Sequence, residues 1–291
     1  MAFLVDDEVA ERVRRLELPF NRHGLDPYGI SQAYLARFFS LLGWFYRRYF
    51  TVSVAGLEHV PARGRAMIVG NHSGGWALDG LMVIASMFFE PEPPRLAQGM
   101  AEKFLNGFPV ASTWTSRIGQ LTGLPEHAAR LLEDDRLLMV FPEGARGTAK
   151  LYGERHSLVR FGTGFVRLAA QTKTPIVPFA FLGGGEAVPT ITNAYALGRL
   201  FGVPYVPVTP WLLPVPLPVH CSVRYDAPLR FEGTGAEDDE VVQGWVDQVK
   251  ARIAALIAQG REGRVLQGTG GGAGGAGGAG GAGGAGAQEA P

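Results

Sequence analysis

The chain has 291 residues, 46% of them hydrophobic, with 27 Lys plus Arg against 27 Asp plus Glu and one cysteine. The balanced charge and the lack of a basic-aromatic motif argue against nucleic acid as a partner. Cys221, alone, excludes an intramolecular disulfide and any multi-cysteine metal site.

Met1-Ala2-Phe3-Leu4-Val5 runs straight into Asp6, Asp7 and Glu8, without the basic and long apolar stretches of an export signal, so no export is expected. Residues 34–52 are rich in Leu, Phe, Tyr and Trp and carry Arg37, Arg47 and Arg48. Only nine residues separate Arg37 from Arg47, well short of the about 18 needed to span a bilayer. The stretch fits a helix in the headgroup interface and, equally, a helix packed on the domain through the same apolar stripe.

Strands are expected at 51–55, 66–69, 137–141, 176–182 and 219–225, where β-branched, aromatic and other apolar residues run together. Helical patterns at 80–89, 126–133, 163–171 and 238–258 separate them. Alternation of this kind predicts an α/β fold with a mixed, mainly parallel sheet flanked by helices. Residues 200–223 carry no charge, but six prolines between Pro204 and Pro218 rule out a spanning helix. The reading is an extended apolar loop: a lid over an acyl chain, a membrane contact or plain packing. From Gly271 to Ala285 the triplet Gly-Gly-Ala recurs, which cannot bury enough surface to offset its ordering entropy. The expected layout is an N-terminal helical interface segment over 1–50, a catalytic domain over 51–265 and a disordered tail over 266–291.

Two segments carry chemistry. Asn71-His72-Ser73-Gly74-Gly75-Trp76-Ala77-Leu78-Asp79 follows the apolar run at 66–70, and Phe141-Pro142-Glu143-Gly144-Ala145-Arg146-Gly147 follows the run at 137–140. Both are expected at strand exits, where α/β folds gather reactive groups. A neutral imidazole can take a proton from a hydroxyl, and a carboxylate on its other nitrogen fixes the tautomer. Asp79 is the nearest such carboxylate to His72; a structural histidine beside a helix-capping aspartate is the alternative. Between residues 144 and 173 lie Arg146, Lys150, Arg155, Arg160, Arg167 and Lys173 against Glu154 alone, which suits anion binding or a solvated face.

Over about residues 50 to 260 the chain resembles the glycerolipid and lysophospholipid acyltransferases, whose signature is a His-Asp block followed by Phe-Pro-Glu-Gly-x-Arg. The resemblance rests on Asn71-His72 with Asp79, on Phe141 to Gly147, on Arg160-Phe161-Gly162-Thr163-Gly164-Phe165 and on Thr174-Pro175-Ile176-Val177-Pro178. It implies that His72 is the general base, that Asp79 orients it, and that the acceptor hydroxyl attacks the thioester of acyl-CoA or acyl carrier protein. Asn71, Glu143, Gly144, Arg146, Lys150 and Arg160 are the implied substrate-binding residues. The thioester is a co-substrate, so no cofactor and no metal are implied. A lipid acceptor in phospholipid or related lipid metabolism and the cytoplasmic face of a membrane are the implied partners and place.

Two departures point to a divergent branch, similar to the acyltransferases that form diacylglycerol-derived and phytyl esters. The family commonly places four residues between its His and Asp; here six intervene. Its second block, Gly-x-x-Phe-x-x-Arg, aligns with Gly119 to Pro125, so Thr122 replaces the aromatic and Pro125 the phosphate-binding arginine, unless Arg117 reaches in instead. A neutral lipid alcohol thereby becomes an option as acceptor. Other classes are a lipid esterase or thioesterase using the same dyad, although no Gly-x-Ser-x-Gly elbow is present, and a non-catalytic lipid-binding protein.

Overall fold

The computed structural model describes residues 5–74, 78–101, 109–122, 124–212 and 214–270. Gly75, Gly123 and the glycine-alanine tract from residue 271 therefore lie outside the described residues.

Nine strands are described: β1 (Ser53–Ala55), β2 (Ala66–Gly70), β3 (Ala97–Ala101), β4 (Leu121–Thr122), β5 (Leu137–Val140), β6 (Ile176–Leu182), β7 (Thr192–Ala194), β8 (Val206–Val208) and β9 (Ser222–Tyr225). The helices are α1 (Asp7–Arg14), α2 (Gln32–Trp44), α3 (Leu78–Phe89), α4 (Pro109–Arg117), α5 (Pro125–Glu133), α6 (Ala145–Thr148), α7 (Gly164–Gln171), α8 (Gly184–Ala187), α9 (Tyr195–Phe201) and α10 (Asp239–Gly270). Seven strands form one sheet in the order β1-β9-β6-β2-β5-β3-β4, and β7 pairs with β8 apart from it.

β2 sits at the centre because all five of its residues are apolar or glycine and all are buried. An unbroken apolar run serves a strand covered on both faces. It pairs in parallel with β5 and β6, and only β6 with β9 runs antiparallel inside the large sheet. The mixed, mainly parallel sheet expected from the sequence is thus the observed one.

Period-2 alternation divides the strands between two cores. Ala66, Ile68, Val177, Phe179 and Phe181 face a layer built from α1, α2 and α3. Met67, Val69, Leu138, Ile176, Ala180 and Leu182 face α5, α7 and α10. The described part of the N-terminal segment packs into the domain: Leu35, Phe39, Leu42 and Tyr46 belong to the first core, and Phe39 stacks on Phe88 of α3 at 3.6 Å between ring centroids. Packing on the domain therefore accounts for one face of α2. Its other face, with Arg37, Leu41 and Trp44, is exposed, as is Arg48 in the turn that follows over Phe45–Tyr49. Among the described residues no helix is long and apolar enough to cross a membrane.

The proline-rich stretch is part of a larger excursion between β6 and β9. α8 leads into the β7/β8 ribbon, which encloses α9, and an extended loop then returns to β9. Pro207 fits because it lies in an edge ribbon, where its missing donor is not needed by a second neighbour.

Candidate active site

Val69 of β2 pairs with Val140 of β5 and with Pro178 of β6, so β2 and β5 end side by side at one edge of the sheet, and β6 runs on beside them to Leu182. Both sequence segments leave from this edge. Asn71 continues the pairing with its side chain: its Nδ2 donates to the Phe181 carbonyl (3.1 Å) and its Oδ1 accepts from the Phe181 N–H (2.9 Å). The amide thus stands in for one more residue of strand and fixes where the next residue begins.

That residue is His72. Its ring lies parallel to Phe141 at 4.1 Å, and its Nδ1 meets Asp79 Oδ2 at 2.9 Å. The same carboxylate oxygen accepts from the Ser73 N–H at 3.0 Å, and its partner oxygen accepts from the Gly80 N–H at 2.8 Å. Asp79 is fully buried in the first turn of α3, where the exposed N–H groups and the helix dipole favour negative charge. His72 keeps 9% of its side chain exposed, and Nε2 has no hydrogen-bond partner among the described residues. Gly74, at φ 82°, turns the chain back with a conformation that L side chains rarely adopt.

Glu143 leaves the neighbouring strand exit and holds the histidine backbone. Its Oε1 accepts from the His72 N–H at 3.0 Å and its Oε2 from the Val159 N–H at 2.9 Å. Lys150 closes the bracket: its Nζ lies 2.6 Å from Glu143 Oε2 and donates to the His72 carbonyl at 2.6 Å. Neither side chain of this pair is more than 1% exposed. Burial pushes the Lys150 ammonium below its ordinary range, against the opposing pull of Glu143. Desolvating two ions costs several kcal/mol each, on the order of what their close contact and added hydrogen bonds return. Asn71, Glu143 and Lys150 therefore have internal partners, and what they fix is the position of His72.

Gly147, in α6, passes so close that an added Cβ would lie 2.7 Å from Glu143 Cβ and 2.8 Å from His72 Cβ. Beside it Arg146 is exposed, and so is Arg160; neither forms an ion pair among the described residues. Gly144 opens the α6 turn with φ 58°. The basic stretch is thus divided. Lys150 is buried on Glu143, Arg155 bonds Glu186 at 3.0 Å, and Arg167 bonds Asp239 at 2.7 Å. Arg146, Arg160 and Lys173 remain as exposed cations.

The third strand exit carries a part that the sequence reading left unassigned. After β6 the chain reads Gly183-Gly184-Gly185-Glu186, a glycine turn that ends in a carboxylate, whereas after β5 the carboxylate Glu143 comes before its glycine. A Cβ on Gly184 would lie 2.2 Å from Ser73 Oγ. That hydroxyl is buried and has no hydrogen-bond partner among the described residues, so His72 does not activate it as a nucleophile. Arg117, the sequence alternative to the arginine that Pro125 replaces, has a partner within the chain. Its Nη1 donates to the Gly29 carbonyl at 3.1 Å, while Pro125 begins α5.

Among the described residues no group of three or more His, Cys, Asp or Glu is placed to hold a metal ion. The arrangement can accept a proton at His72 Nε2, stabilise the resulting imidazolium through Asp79, and hold that base through three hydrogen bonds, with Asp79, Glu143 and Lys150.

Residues 51–182 match the family model described as Acyltransferase. An uncharacterized protein of Mycobacterium tuberculosis (strain ATCC 25618 / H37Rv) is 35% identical over 235 residues, covering 77% of this chain and 65% of its own length. One of Mycobacterium leprae is 34% identical over 252 residues, covering 83% of this chain and 67% of its own. The chain spans about 65% of the length of the first of these curated relatives. The crystal structure of the 1-acyl-sn-glycerophosphate (LPA) acyltransferase PlsC from Thermotoga maritima is similar at a TM-score of 0.49 and 17% identity, over 75% of this chain and 79% of that one. The matched region begins just before β1, ends at the last residue of β6 and contains both the His72 to Asp79 segment and the Glu143 turn, so residues 51–182 belong to the Acyltransferase family.

Proposed function

We propose that this protein is an O-acyltransferase that moves a fatty acyl group from acyl-CoA or acyl carrier protein to the hydroxyl of a glycerolipid or related lipid alcohol, working at the cytoplasmic face of a membrane. The observation that carries the reading is the 2.9 Å contact between His72 Nδ1 and the buried Asp79, which leaves Nε2 for the substrate.

In this mechanism Nε2 accepts the proton of the acceptor hydroxyl as its oxygen forms a bond to the thioester carbonyl carbon. Asp79 stabilises the imidazolium without taking the proton. The tetrahedral intermediate then collapses with cleavage of the carbon–sulfur bond, the thiolate takes the proton from Nε2, and an ester and a free thiol leave. No covalent enzyme intermediate is required, in keeping with the buried, unengaged Ser73 hydroxyl.

Glu143 and Lys150 act in this reading by positioning His72, and Arg146 and Arg160 supply the exposed cations for phosphates of the donor or acceptor. Pro125 in place of an arginine, with Arg117 bonded to Gly29, favours an acceptor without a phosphate of its own.

Purified protein with labelled acyl-CoA and a panel of lysophospholipids, monoacylglycerol, diacylglycerol and long-chain alcohols tests the reading. Free CoA is expected with at least one alcohol, and His72→Ala abolishes it. Release of CoA untouched by that substitution contradicts the role given to His72.

A further inference from the structure

The excursion between β6 and β9 exposes an unusual amount of apolar side chain. Ile191 is 59% exposed, Tyr195 57%, Leu200 76%, Phe201 59%, Leu212 75% and Val215 55%. Isolated exposed apolar residues need no explanation, but a cluster on one excursion does.

Three hydrogen bonds tie this surface to its neighbours. Leu217 N–H donates to the Ala187 carbonyl (2.8 Å), anchoring the proline loop beside the glycine turn. The Tyr49 hydroxyl donates to the Pro216 carbonyl (2.7 Å), which brings the end of α2 alongside, with Trp44 5.8 Å from Tyr49 between ring centroids. Asn193 Nδ2 donates to the Ala149 carbonyl (2.7 Å), next to the Lys150 that holds His72. The exposed face of α2, the proline loop and the ribbon thus adjoin one another and border the candidate active site.

Charge identifies the occupant. Between Glu186 and Asp226 there is no acidic residue, and between Asp26 and Glu58 there is none either. Arg199 on α9, Arg37 on α2 and Arg48 in the turn after α2 are exposed and form no ion pair among the described residues. An apolar, aromatic-bearing surface with unpaired arginines, whose neighbouring α1 carboxylate Glu8 is neutralised by Arg47, complements an anionic lipid surface.

We propose that the β7–α9–β8 excursion and the proline loop, joined by the exposed stripe of α2, are the surface by which this protein docks on an anionic bilayer, with the site opening beside the lipid headgroups. This rests on the membrane partner proposed above and assigns it to a surface centred on α9, not on the N-terminal segment alone.

Co-sedimentation with vesicles of phosphatidylcholine, with and without one third phosphatidylglycerol, tests it on the full chain. Circular dichroism serves as the check of folding. Wild type is expected to sediment with the anionic vesicles. Leu200→Ser and Phe201→Ser each weaken binding on the order of tenfold, and Arg199→Gln weakens it roughly fivefold. Equal sedimentation of wild type and a folded Leu200→Ser/Phe201→Ser variant overturns the surface while leaving membrane binding intact. A wild type that sediments with neither vesicle overturns the surface as well. So does a concentration-dependent dimer that the double variant abolishes, since the face then belongs to a second copy. Release of CoA to a dispersed short-chain alcohol reports on acyl transfer separately, so failure of docking and failure of the catalytic reading are told apart.

Discussion

The corner at the ends of β2, β5 and β6 and the excursion between β6 and β9 invert the usual placement of residue types. The corner buries Asp79, Glu143 and Lys150 with at most 1% of any of these side chains exposed, whereas the excursion leaves Leu200 76% and Leu212 75% exposed. Charges are tolerated inside only where every one has a close partner, and large apolar groups persist outside only where something other than water meets them. The contrast separates two tasks. On the proposed reading a hydrogen-bonded bracket positions the base, while the apolar face meets the lipid.

The largest expected effect comes from breaking the corner at its base. His72→Ala lowers the rate of acyl transfer by about 10²–10⁴-fold, the usual contribution of a general base. Asp79→Asn lowers it as well, since the amide no longer favours the imidazolium; steady-state kinetics with the best acceptor measures both.

Breaking the bracket acts on folding first. Lys150→Met leaves Glu143 buried and uncompensated, and thermal unfolding is expected to report a loss of roughly 3–5 kcal/mol. The double variant Glu143→Gln/Lys150→Met recovers part of it, because no isolated charge remains. A double variant as unstable as the sum of the two single variants contradicts the pairing.

Gly147→Ala sharpens the comparison at smaller cost. The added methyl would sit 2.8 Å from His72 Cβ, so the α6 turn has to shift and the base with it. Turnover is expected to fall by about tenfold or more, the scale on which small misplacements act, and stability by about 1–3 kcal/mol from the overpacked turn. An enzyme of unaltered turnover would show that the close approach of α6 does not position His72.

The smallest effect lies on the surface, at the bond between α1 and the turn that follows α2. Arg47, hydrogen-bonded to Glu8, holds that carboxyl below its ordinary 4.5. A folded-state value below the unfolded one contributes stability that is present above pH 4.5 and lost as the pH falls through the folded value. Solvent screens this exposed pair, so Glu8→Gln flattens the acid limb of the stability curve by under about 1 kcal/mol.

Much of the fold is legible in the sequence because its central strands are uninterrupted apolar runs. Residues 66–69, 137–141 and 176–182 form β2, β5 and β6 nearly as expected. β3 escapes because Ala97-Gln98-Gly99-Met100-Ala101 has no β-branched residue and places a fully buried glutamine at its second position. β7 and β8 escape because each is three residues long and β8 contains Pro207. In the site, the adjacency of His72 and Glu143 is readable once both are placed at strand exits. The location of Lys150 is not. Arg146 and Lys150 look alike in sequence, four residues apart in one basic stretch, and only the return of the chain after α6 buries one and exposes the other. The N-terminal stretch was readable in two ways because one apolar stripe serves both, and α2 presents a face to each: Phe39 to the core, Trp44 to the outside.

The fate of the acyl chain tests the central claim most directly. With labelled acyl-CoA and the preferred lipid alcohol, mass spectrometry of the products distinguishes ester from free fatty acid. The mechanism built on His72 and Asp79 predicts that ester predominates, that added alcohol suppresses any free acid, and that His72→Gln eliminates both products. Free acid as the sole product at every alcohol concentration, or ester formed unchanged by His72→Gln, would contradict it.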